Sequence, residues 1–364
     1  MEQQLKNIAQ QFAIEGEIAD IRPLGNGLIN TTYAVTTTGS TPDYVLQNVN
    51  VAIFPDIKLL MNNIVEVTTH IRKKLEAAGT PDIDRKVLNF VPTKEGVYYY
   101  FDGEKYWRVM VLISDTTSKS GVSIENAKIV GKTFAEFQGM LADIPAELGE
   151  TIKDFHNIEF RLKQLKEAVA DDKVGRVGES TVAHLLEEIF KREDEMTKSE
   201  KLYREGKLPK RICHCDTKVD NILFDKEGNV LCVIDLDTVM PSFIFSDFGD
   251  FLRTAANTTR EDDPNLDNIS FRFDVFEAFA GGYLAGGAHR NREFTLCCSS
   301  LPLYAVYPLL GRLHQRRYLL QDYASSPQPR TCGQSIPLAR MRRRSYSQDG
   351  GLHPTTACEI IYPR

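Results

Sequence analysis

The spacing of apolar residues along this chain of 364 residues changes from strand-like to helical close to residue 114. Before that point, short apolar runs typical of β-strands surround one helical pattern, whereas after it most of the apolar spacing is helical. We therefore predict an α+β fold with an N-terminal antiparallel sheet and one helix, followed by a mainly helical C-terminal part.

Six strands are predicted in the N-terminal part, with a glycine-containing loop at Gly25-Asn26-Gly27. They cover residues 18–24, 31–37, 44–49, 87–90, 96–101 and 107–113. Between the third and fourth strands, apolar residues recur every three or four positions over 56–78, and Gly79-Thr80-Pro81 follows. This pattern predicts an amphipathic helix that ends before the glycine.

The C-terminal part is predicted to contain a helix capped by Ser123 and a second, long polar helix over 179–204. The short apolar runs 221–224 and 230–234 are separated by a polar segment that contains Gly228-Asn229. Two short strands joined by such a turn are typical of a β-hairpin.

Polar residues at the ends of this hairpin carry the main chemical signal. Asp216 precedes Asn221 by five positions, and Asp235 follows the second strand, 19 positions after Asp216. Phosphoryl transfer from ATP requires a carboxylate near the attacking hydroxyl group and oxygen ligands for Mg²⁺. We predict that Asp216 is the base, that Asn221 and Asp235 bind the metal, and that Lys218 neutralises charge on the transferred group. The alternative is that Asp216 and Asn221 only shape turns beside the hairpin.

A second acidic motif follows at Asp247-Phe248-Gly249, which matches the magnesium-binding signature of protein kinases. It lies 31 positions after Asp216, too far for the hairpin arrangement, so Asp235 is preferred as the metal ligand. We predict a helix over 248–256 and a supporting role for Asp247 and Asp250, which would accept hydrogen bonds from the backbone of the catalytic loop. A simple helix cap is the alternative for Asp247.

Composition and the remaining motifs exclude several other classes. The net charge of −6 and the pI near 5.8 argue against a nucleic-acid partner. The acidic N-terminus and the lack of long apolar runs predict a cytoplasmic protein with no membrane partner. Seven cysteines, an odd number, favour a reducing compartment. Cys213-His214-Cys215 lacks the second ligand pair of a zinc site, and we expect His214 to brace the loop.

These motifs resemble those of the aminoglycoside phosphotransferase and choline kinase superfamily. The resemblance rests on residues 214–225, 234–241 and 247–254, and on similarity of 23–33 and 44–50 to the nucleotide loop and the strand that follows it. It extends from about residue 15 to about residue 296. The sequence motifs Asp216-Thr217-Lys218 and Asp235-Leu236-Asp237-Thr238 most resemble those of N-acetylhexosamine 1-kinases and related bacterial sugar kinases.

The resemblance implies a protein-kinase-like two-lobe fold and a Mg²⁺-dependent reaction. ATP would phosphorylate the anomeric hydroxyl group of an N-acetylhexosamine to give the sugar 1-phosphate, with Asp216 as base, Asn221 and Asp235 as metal ligands and Asp237 in support. The residues implied in nucleotide binding are Gly25, Asn26, Gly27, Asn30, Thr31 and Gln47.

One departure from the superfamily concerns the phosphate-binding lysine of the third strand. Gln47 or Asn48 occupies its position, and Lys58, Lys73 and Arg108 are all candidates to replace it. Glu66 on the predicted helix is the candidate partner of that cation, although a solvent-exposed glutamate is the stronger interpretation.

These observations divide the chain into three parts. We predict a nucleotide-binding lobe over 1–113, a catalytic and substrate lobe over 114–300, and an atypical tail over 301–364. From residue 297 onwards helical periodicity fades, and four of the seven cysteines and seven of the sixteen prolines occur there. A frameshift that leaves a disordered tail is one hypothesis, and a natural basic extension is the other.

Two further functional classes stay open at this point. One is a related kinase whose acceptor is choline, homoserine or an aminoglycoside, although a choline or aminoglycoside site should be strongly acidic, which the resemblance does not favour. The other is an inactive nucleotide-binding relic, which is consistent with the missing lysine and the unusual tail. We expect a small-molecule substrate and a monomeric protein.

Overall fold

The computed structural model describes residues 2–25, 29–119, 121–173, 175–256, 258 and 270–287. Within these residues the chain forms two compact units, each assembled from separate segments of sequence. The N-terminal antiparallel sheet and the helical C-terminal part are both present, so the predicted α+β class is confirmed. The predicted tail over 301–364 lies outside the described residues.

The first unit consists of Met1–Lys119, Met140–Lys153 and Asp220–Met240. Its main sheet has the antiparallel order β1-β2-β3-β6-β4, with β5 paired to β6, and a separate hairpin pairs β8 with β9. The strands of the unit are β1 Ile18–Pro23, β2 Thr31–Thr37, β3 Tyr44–Val49, β4 Phe90–Val91, β5 Tyr100–Phe101, β6 Tyr106–Val111, β8 Ile222–Phe224 and β9 Val230–Val233.

Two helices belong to this unit, α1 (Glu2–Ala9) and α2 (Ile57–Ala77). Helix α1, which the sequence patterns did not indicate, buries its apolar residues against the sheet in a core shared with Leu46, Trp107 and Val109. Helix α2 confirms the predicted amphipathic helix, and Asp56 caps it by accepting a hydrogen bond from the N–H of Leu59.

The outer strands are shorter than predicted. In place of the predicted strands 87–90 and 96–101, the sheet contains the two-residue strands β4, which is shifted to Phe90–Val91, and β5. A turn closed by hydrogen bonds between Thr93 and Val97, with Gly96 at a positive φ of 85°, lies between these strands. Because a turn of this kind occupies backbone groups that would otherwise pair across strands, it limits the length of both.

The second unit consists of Ser120–Gly139, Asp154–Val219 and the residues from Pro241 onwards. It is helical apart from a two-stranded sheet of β7 (Arg211–Cys213) and β10 (Met240–Ser242). Its helices are α3 Ile124–Met140, α4 Ile158–Asp171, α5 Ser180–Phe190, α6 Glu193–Arg204, α7 Ile244–Ala255 and α8 Phe273–Ala285.

Ser123 caps α3 as predicted, since its hydroxyl oxygen accepts a hydrogen bond from the N–H of Asn126. The prediction of one long helix over 179–204 is wrong, because α5 ends at Phe190 and α6 begins at Glu193. At the end of α5, the N–H of Arg192 bonds to the carbonyl of Ile189, three residues earlier. An α-helical bond would span four residues, so the last turn of α5 is of the 3₁₀ type.

Helices α3 and α8 cross with their backbones in contact. A methyl group at Gly282 would collide with the carbonyl oxygen of Lys128, and one at Gly131 with the carbonyl oxygen of Phe279. Glycine is therefore required at both positions by the close approach of the two helices. Among the described residues, no helix is long and apolar enough to span a membrane.

We expect Gly282→Ala to destabilise the protein by about 1–3 kcal/mol, because the backbone at the crossing has no room for the added carbon. Gly281→Ala is the matched control, since a methyl group there meets no atom within 4 Å. The control should be neutral or slightly stabilising, as alanine is the better helix former. Urea unfolding of both variants measures the difference, and equal midpoints would contradict the close crossing.

Candidate active site

The predicted catalytic loop, residues 214–218, follows β7 in the second unit. Its backbone is bound to α7: the carboxylate of Asp247 accepts hydrogen bonds from the N–H groups of His214 (2.9 Å) and Cys215 (2.7 Å). The carboxylate of Asp250 accepts from the N–H of Thr217 at 3.0 Å. The Thr217 hydroxyl donates to the backbone carbonyl of Asp247 at 2.6 Å. The loop is therefore held by two acidic side chains of one helix.

Helix α7 begins at Ile244, one turn before the predicted start at Phe248. The early start follows from the apolar residues Ile244 and Phe245, which are both buried. Asp247 consequently lies within the first turn of the helix and is not its cap, which leaves both of its carboxylate oxygens available to the loop.

Asp247 is itself part of a chain of polar contacts through three helices. Gln138 of α3 donates to its Oδ2 at 2.6 Å, and the hydroxyl of Tyr283 in α8 donates to Oε1 of Gln138. Burial raises the pKa of Asp247 above the usual carboxyl value, while the charge of His214 and the loop N–H groups act in the opposite direction. Sequence reasoning missed Gln138 and Tyr283, because the residues that they contact are more than 100 positions away in the chain.

The ring of His214 is fully buried and packs edge-on against Phe134 and Phe137, with ring centroids 5.2 and 5.7 Å away. The neighbouring Cys213 and Cys215 are buried as well. Within the residues that the structure describes, no three histidine, cysteine or acidic side chains converge as a metal-binding group.

Asp216 and Lys218 form an ion pair in the second unit, with 2.7 Å between Lys218 Nζ and Asp216 Oδ2. Both side chains are partly exposed, at 29% for Asp216 and 39% for Lys218. The residue before Asp216, Cys215, has a φ of 64° in the left-handed region. Non-glycine residues hold this conformation when the surrounding contacts fix it, and here Asp247 provides such a contact.

The two predicted metal ligands belong to the first unit and lie at the same end of the β8–β9 hairpin. The carbonyl of Asn221 accepts a hydrogen bond from the N–H of Ile234 at 2.9 Å, and Asp235 is the next residue. Asn221 is buried, whereas Asp235 is exposed. Asp235 has φ 59° and ψ 58°, a left-handed conformation, and it starts a short 3₁₀ helix over Leu236–Thr238.

Asp237, in that 3₁₀ helix, forms a buried ion pair with Arg108 of β6. The distances are 2.5 Å from Nη1 of Arg108 to Oδ1 and 3.0 Å from Nη2 to Oδ2, and both side chains are less than 5% exposed. Asn30, from the predicted nucleotide loop, donates to Oδ2 of Asp237 at 2.7 Å. The carboxylate of Asp237 is thus fully engaged by groups of its own unit.

Gln47 lies directly opposite Arg108 on the neighbouring strand β3 and accepts a hydrogen bond from its Nε at 3.0 Å. The side-chain amide of Gln47 in turn donates to the hydroxyl of Thr32 on β2. Lys58 and Lys73, the other candidate cations, are exposed on α2, and Glu66 is exposed as well. The positive charge beside the position of the absent lysine is therefore that of Arg108.

The segment around Asp237 has two further anchors that sequence reasoning missed. The hydroxyl of Thr151 donates to the backbone carbonyl of Asp237 at 2.8 Å, and the amide of Asn63 donates to the carbonyl of Val239 at 3.1 Å. Asn63 carried a usable signal, because it interrupts the apolar face of α2 and is completely buried there.

Of the predicted nucleotide-loop residues, Gly25 has a φ of 69° and Asn30 accepts a hydrogen bond from the N–H of Asn50. Thr31 is the first residue of β2. Asn26 and Gly27 lie outside the described residues.

We expect Arg108→Met to destabilise the protein by about 3–5 kcal/mol, because it leaves the buried carboxylate of Asp237 without its counter-charge. The double variant Arg108→Met, Asp237→Leu removes both charges and should recover much of that loss. Denaturant unfolding of the two variants and of Asp237→Leu alone tests this double-mutant cycle. Additive effects of the single changes would show that the pair is not coupled.

Thiol reactivity reports on the packing of both units. Burial raises the pKa of Cys215 well above the usual thiol value and that of Cys232 to about 12. At pH 8 the thiolate fraction of Cys232 would be roughly 10⁻⁴, so we expect neither residue to react with iodoacetamide in the native protein. Site-resolved mass spectrometry, with denatured protein as the control, measures this. Rapid native labelling of Cys215 would show that the loop is not held as described.

Comparison with known proteins gives a family match and several similar folds. The model of the phosphotransferase enzyme family matches residues 20–289, which is most of the chain. Among solved structures, the chain is similar to a microcompartment-associated aminopropanol kinase, with 17% identity, a TM-score of 0.62 and coverage of 97% of this chain and 99% of that one.

Two other structures show the same fold. An aminoglycoside phosphotransferase from Alicyclobacillus acidocaldarius is 13% identical, with a TM-score of 0.58 and coverage of 94% of this chain and 96% of that one. A choline/ethanolamine kinase family protein from Mesorhizobium loti is 14% identical, with a TM-score of 0.52 and coverage of 99% of each chain. The family match confirms the predicted enzyme class, and the chain belongs to the phosphotransferase enzyme family.

Proposed function

We propose that this phosphotransferase transfers the γ-phosphoryl group of ATP to the anomeric hydroxyl group of an N-acetylhexosamine. The proposal rests on Asp216, Asn221 and Asp235. Asp216 begins an Asp-Thr-Lys motif and Asp235 an Asp-Leu-Asp-Thr motif, and both motifs resemble those of sugar kinases. The fixed backbone of the catalytic loop supports it, because a catalytic carboxylate acts best when its supporting groups are already in place.

In the proposed reaction, the sugar hydroxyl oxygen forms a bond to the γ-phosphorus while the bond between that phosphorus and the ADP oxygen breaks. Asp216 accepts the proton of the hydroxyl group. Lys218, which pairs with Asp216 in the structure, supplies positive charge close to the phosphoryl oxygens. The products are ADP and the sugar 1-phosphate.

The residues at the end of the β8–β9 hairpin suit a magnesium ion. Mg²⁺ prefers oxygen ligands and is usually bound by one or two carboxylates together with substrate phosphates and water. Asn221 and Asp235 provide an amide oxygen and a carboxylate at one end of the hairpin. When bound there, the metal would neutralise charge on the β- and γ-phosphates.

Nucleotide binding is assigned to the loop and strand of the first unit, namely to Gly25, Asn26, Gly27, Asn30, Thr31 and Gln47. The side chains of Asn30 and Gln47 are engaged by Asp237 and Arg108, respectively. We therefore assign these two side chains to the shape of the nucleotide site, whereas backbone groups of the loop would meet the phosphates.

The acceptor is the least constrained part of the proposal. The aminopropanol kinase has the same fold, so amino alcohols belong in any test, together with choline, homoserine and aminoglycosides. A cationic acceptor requires acidic groups in the acceptor site. The resemblance of the Asp-Thr-Lys and Asp-Leu-Asp-Thr motifs to those of sugar kinases instead favours a neutral sugar.

Coupled ATP turnover over a panel of N-acetylhexosamines, hexoses, amino alcohols, choline, homoserine and aminoglycosides separates the possibilities. Turnover with N-acetylglucosamine or N-acetylgalactosamine, and the 1-phosphate as product by ³¹P NMR, supports the proposal. Turnover with amino alcohols or choline but with no sugar overturns the acceptor. ATP binding without turnover on any acceptor supports the inactive relic.

We expect Asp216→Asn to lower kcat by about 10²–10⁴-fold, because the amide cannot accept the hydroxyl proton. ADP affinity should change little, since the proposed role of Asp216 is in the chemical step. Asp194→Asn, an exposed aspartate on α6 of the same unit, is the matched control and should keep wild-type activity. Full activity of Asp216→Asn would remove Asp216 from the mechanism.

A further inference from the structure

Arg108 occupies an unusual place for a charged side chain. It lies in the interior strand β6, is 2% exposed, and faces Gln47 at the position where related kinases are expected to carry a lysine. A buried guanidinium group is costly unless its charge is paired and its N–H groups are bonded. Asp237 and Gln47 meet this requirement together.

The partner of Arg108 is not on the helix. Glu66 of α2 is exposed, and the carboxylate that pairs with Arg108 comes from Asp237, two residues after the proposed metal ligand Asp235. The sheet is thus joined directly to the metal-binding segment. Helix α2 joins the same segment through the neutral amide of Asn63.

Asp235 adopts a left-handed backbone conformation, which reverses the chain direction sharply between β9 and the 3₁₀ helix. Contacts fix the chain on both sides of it. Before it, the N–H of Ile234 bonds to Asn221, and after it Asp237 is bonded through its side chain to Arg108 and through its carbonyl to Thr151. Loss of the later contacts would leave the turn held on one side only and would allow the Asp235 carboxylate to move.

We propose that Arg108 is a positioning residue for the metal site: through Asp237 it fixes the turn that presents Asp235 to the metal. Asp237 is then the counter-charge of Arg108 and neither a metal ligand nor a substrate contact. This inference rests on the proposed function, because it requires that Asp235 binds the metal.

The test uses the full-length protein with Mn²⁺ and ADP, and free Mn²⁺ is measured by electron paramagnetic resonance. Arg108→Lys keeps the charge but loses the two-pronged contact with Asp237. We expect it to weaken Mn²⁺ affinity by about 10–100-fold, the range found when residues that orient a metal ligand are changed. Metal-free ADP affinity should fall by a smaller factor than Mn²⁺ affinity, because, among the described residues, the only nucleotide-site contact that the variant loses is the bond to Gln47.

Arg72→Lys is the matched control, because Arg72 belongs to the same unit and pairs with the exposed Asp84. It should keep wild-type Mn²⁺ affinity. Parallel loss of ADP affinity and Mn²⁺ affinity in Arg108→Lys would indicate a general structural defect and would overturn the positioning role.

A second pair of variants addresses the same turn without altering a buried charge. Thr151→Val removes the hydroxyl group that bonds to the Asp237 carbonyl, whereas Thr151→Ser keeps it. Weaker Mn²⁺ binding in the valine variant and recovery in the serine variant support the inference.

Two results separate this inference from the proposed function. Wild-type Mn²⁺ affinity in folded Arg108→Lys and in Thr151→Val, with an active wild-type enzyme, overturns the inference alone. A wild-type protein that binds no Mn²⁺ with ADP and turns over no ATP overturns the proposed function and the inference with it.

Discussion

The ion pair between Arg108 and Asp237 constrains the first unit more than any other contact described above. Two charges that are removed from water are stable only if each is fully hydrogen-bonded. Gln47 provides a bond to Arg108 through the pairing of β3 with β6, and Asn30 provides one to Asp237. The ion pair joins Arg108 of the central sheet to Asp237 in the segment after Asp235, and Asn30 attaches the loop before β2 to the same carboxylate. Three parts of the unit that are remote in sequence are therefore fixed by one interaction.

In the second unit, buried carboxylates of α7 hold the loop before Asp216, and Asp247 makes most of these contacts. Asp247 is bonded by the N–H groups of His214 and Cys215 and by the amide of Gln138. In both units, a buried acid holds a turn that contains a left-handed, non-glycine residue, Cys215 in one and Asp235 in the other. Each of these turns presents an aspartate to which we assign chemistry, Asp216 and Asp235. Each proposed reactive aspartate therefore lies at or next to a left-handed residue of a turn that buried hydrogen bonds hold in place.

Local patterns predicted local structure well. Strands 31–37 and 44–49, helix α2 and the hairpin at 222–233 follow from alternation, helical spacing and turn residues, which depend on neighbours in the chain. The break between α5 and α6 and the early start of α7 depend on packing and hydrogen bonds, which local patterns do not encode. The pairing of Arg108 with Asp237 spans 129 positions, and sequence left Arg108 as one of three candidate cations and Asp237 without a partner.

The first unit is assembled from three segments that are distant in sequence, and this affects the order in which its parts can fold during synthesis on a ribosome. When residue 119 has been synthesised, the sheet strands exist, but the carboxylate that neutralises Arg108 has not yet been made. Arg108 can be buried at low cost only after residue 237 has emerged, by which time α3 to α6 of the other unit are already synthesised. An N-terminal fragment that ends near residue 119 would carry an uncompensated charge within its sheet, so the sheet of the first unit must be produced together with the β8–β9 hairpin and the segment that follows it.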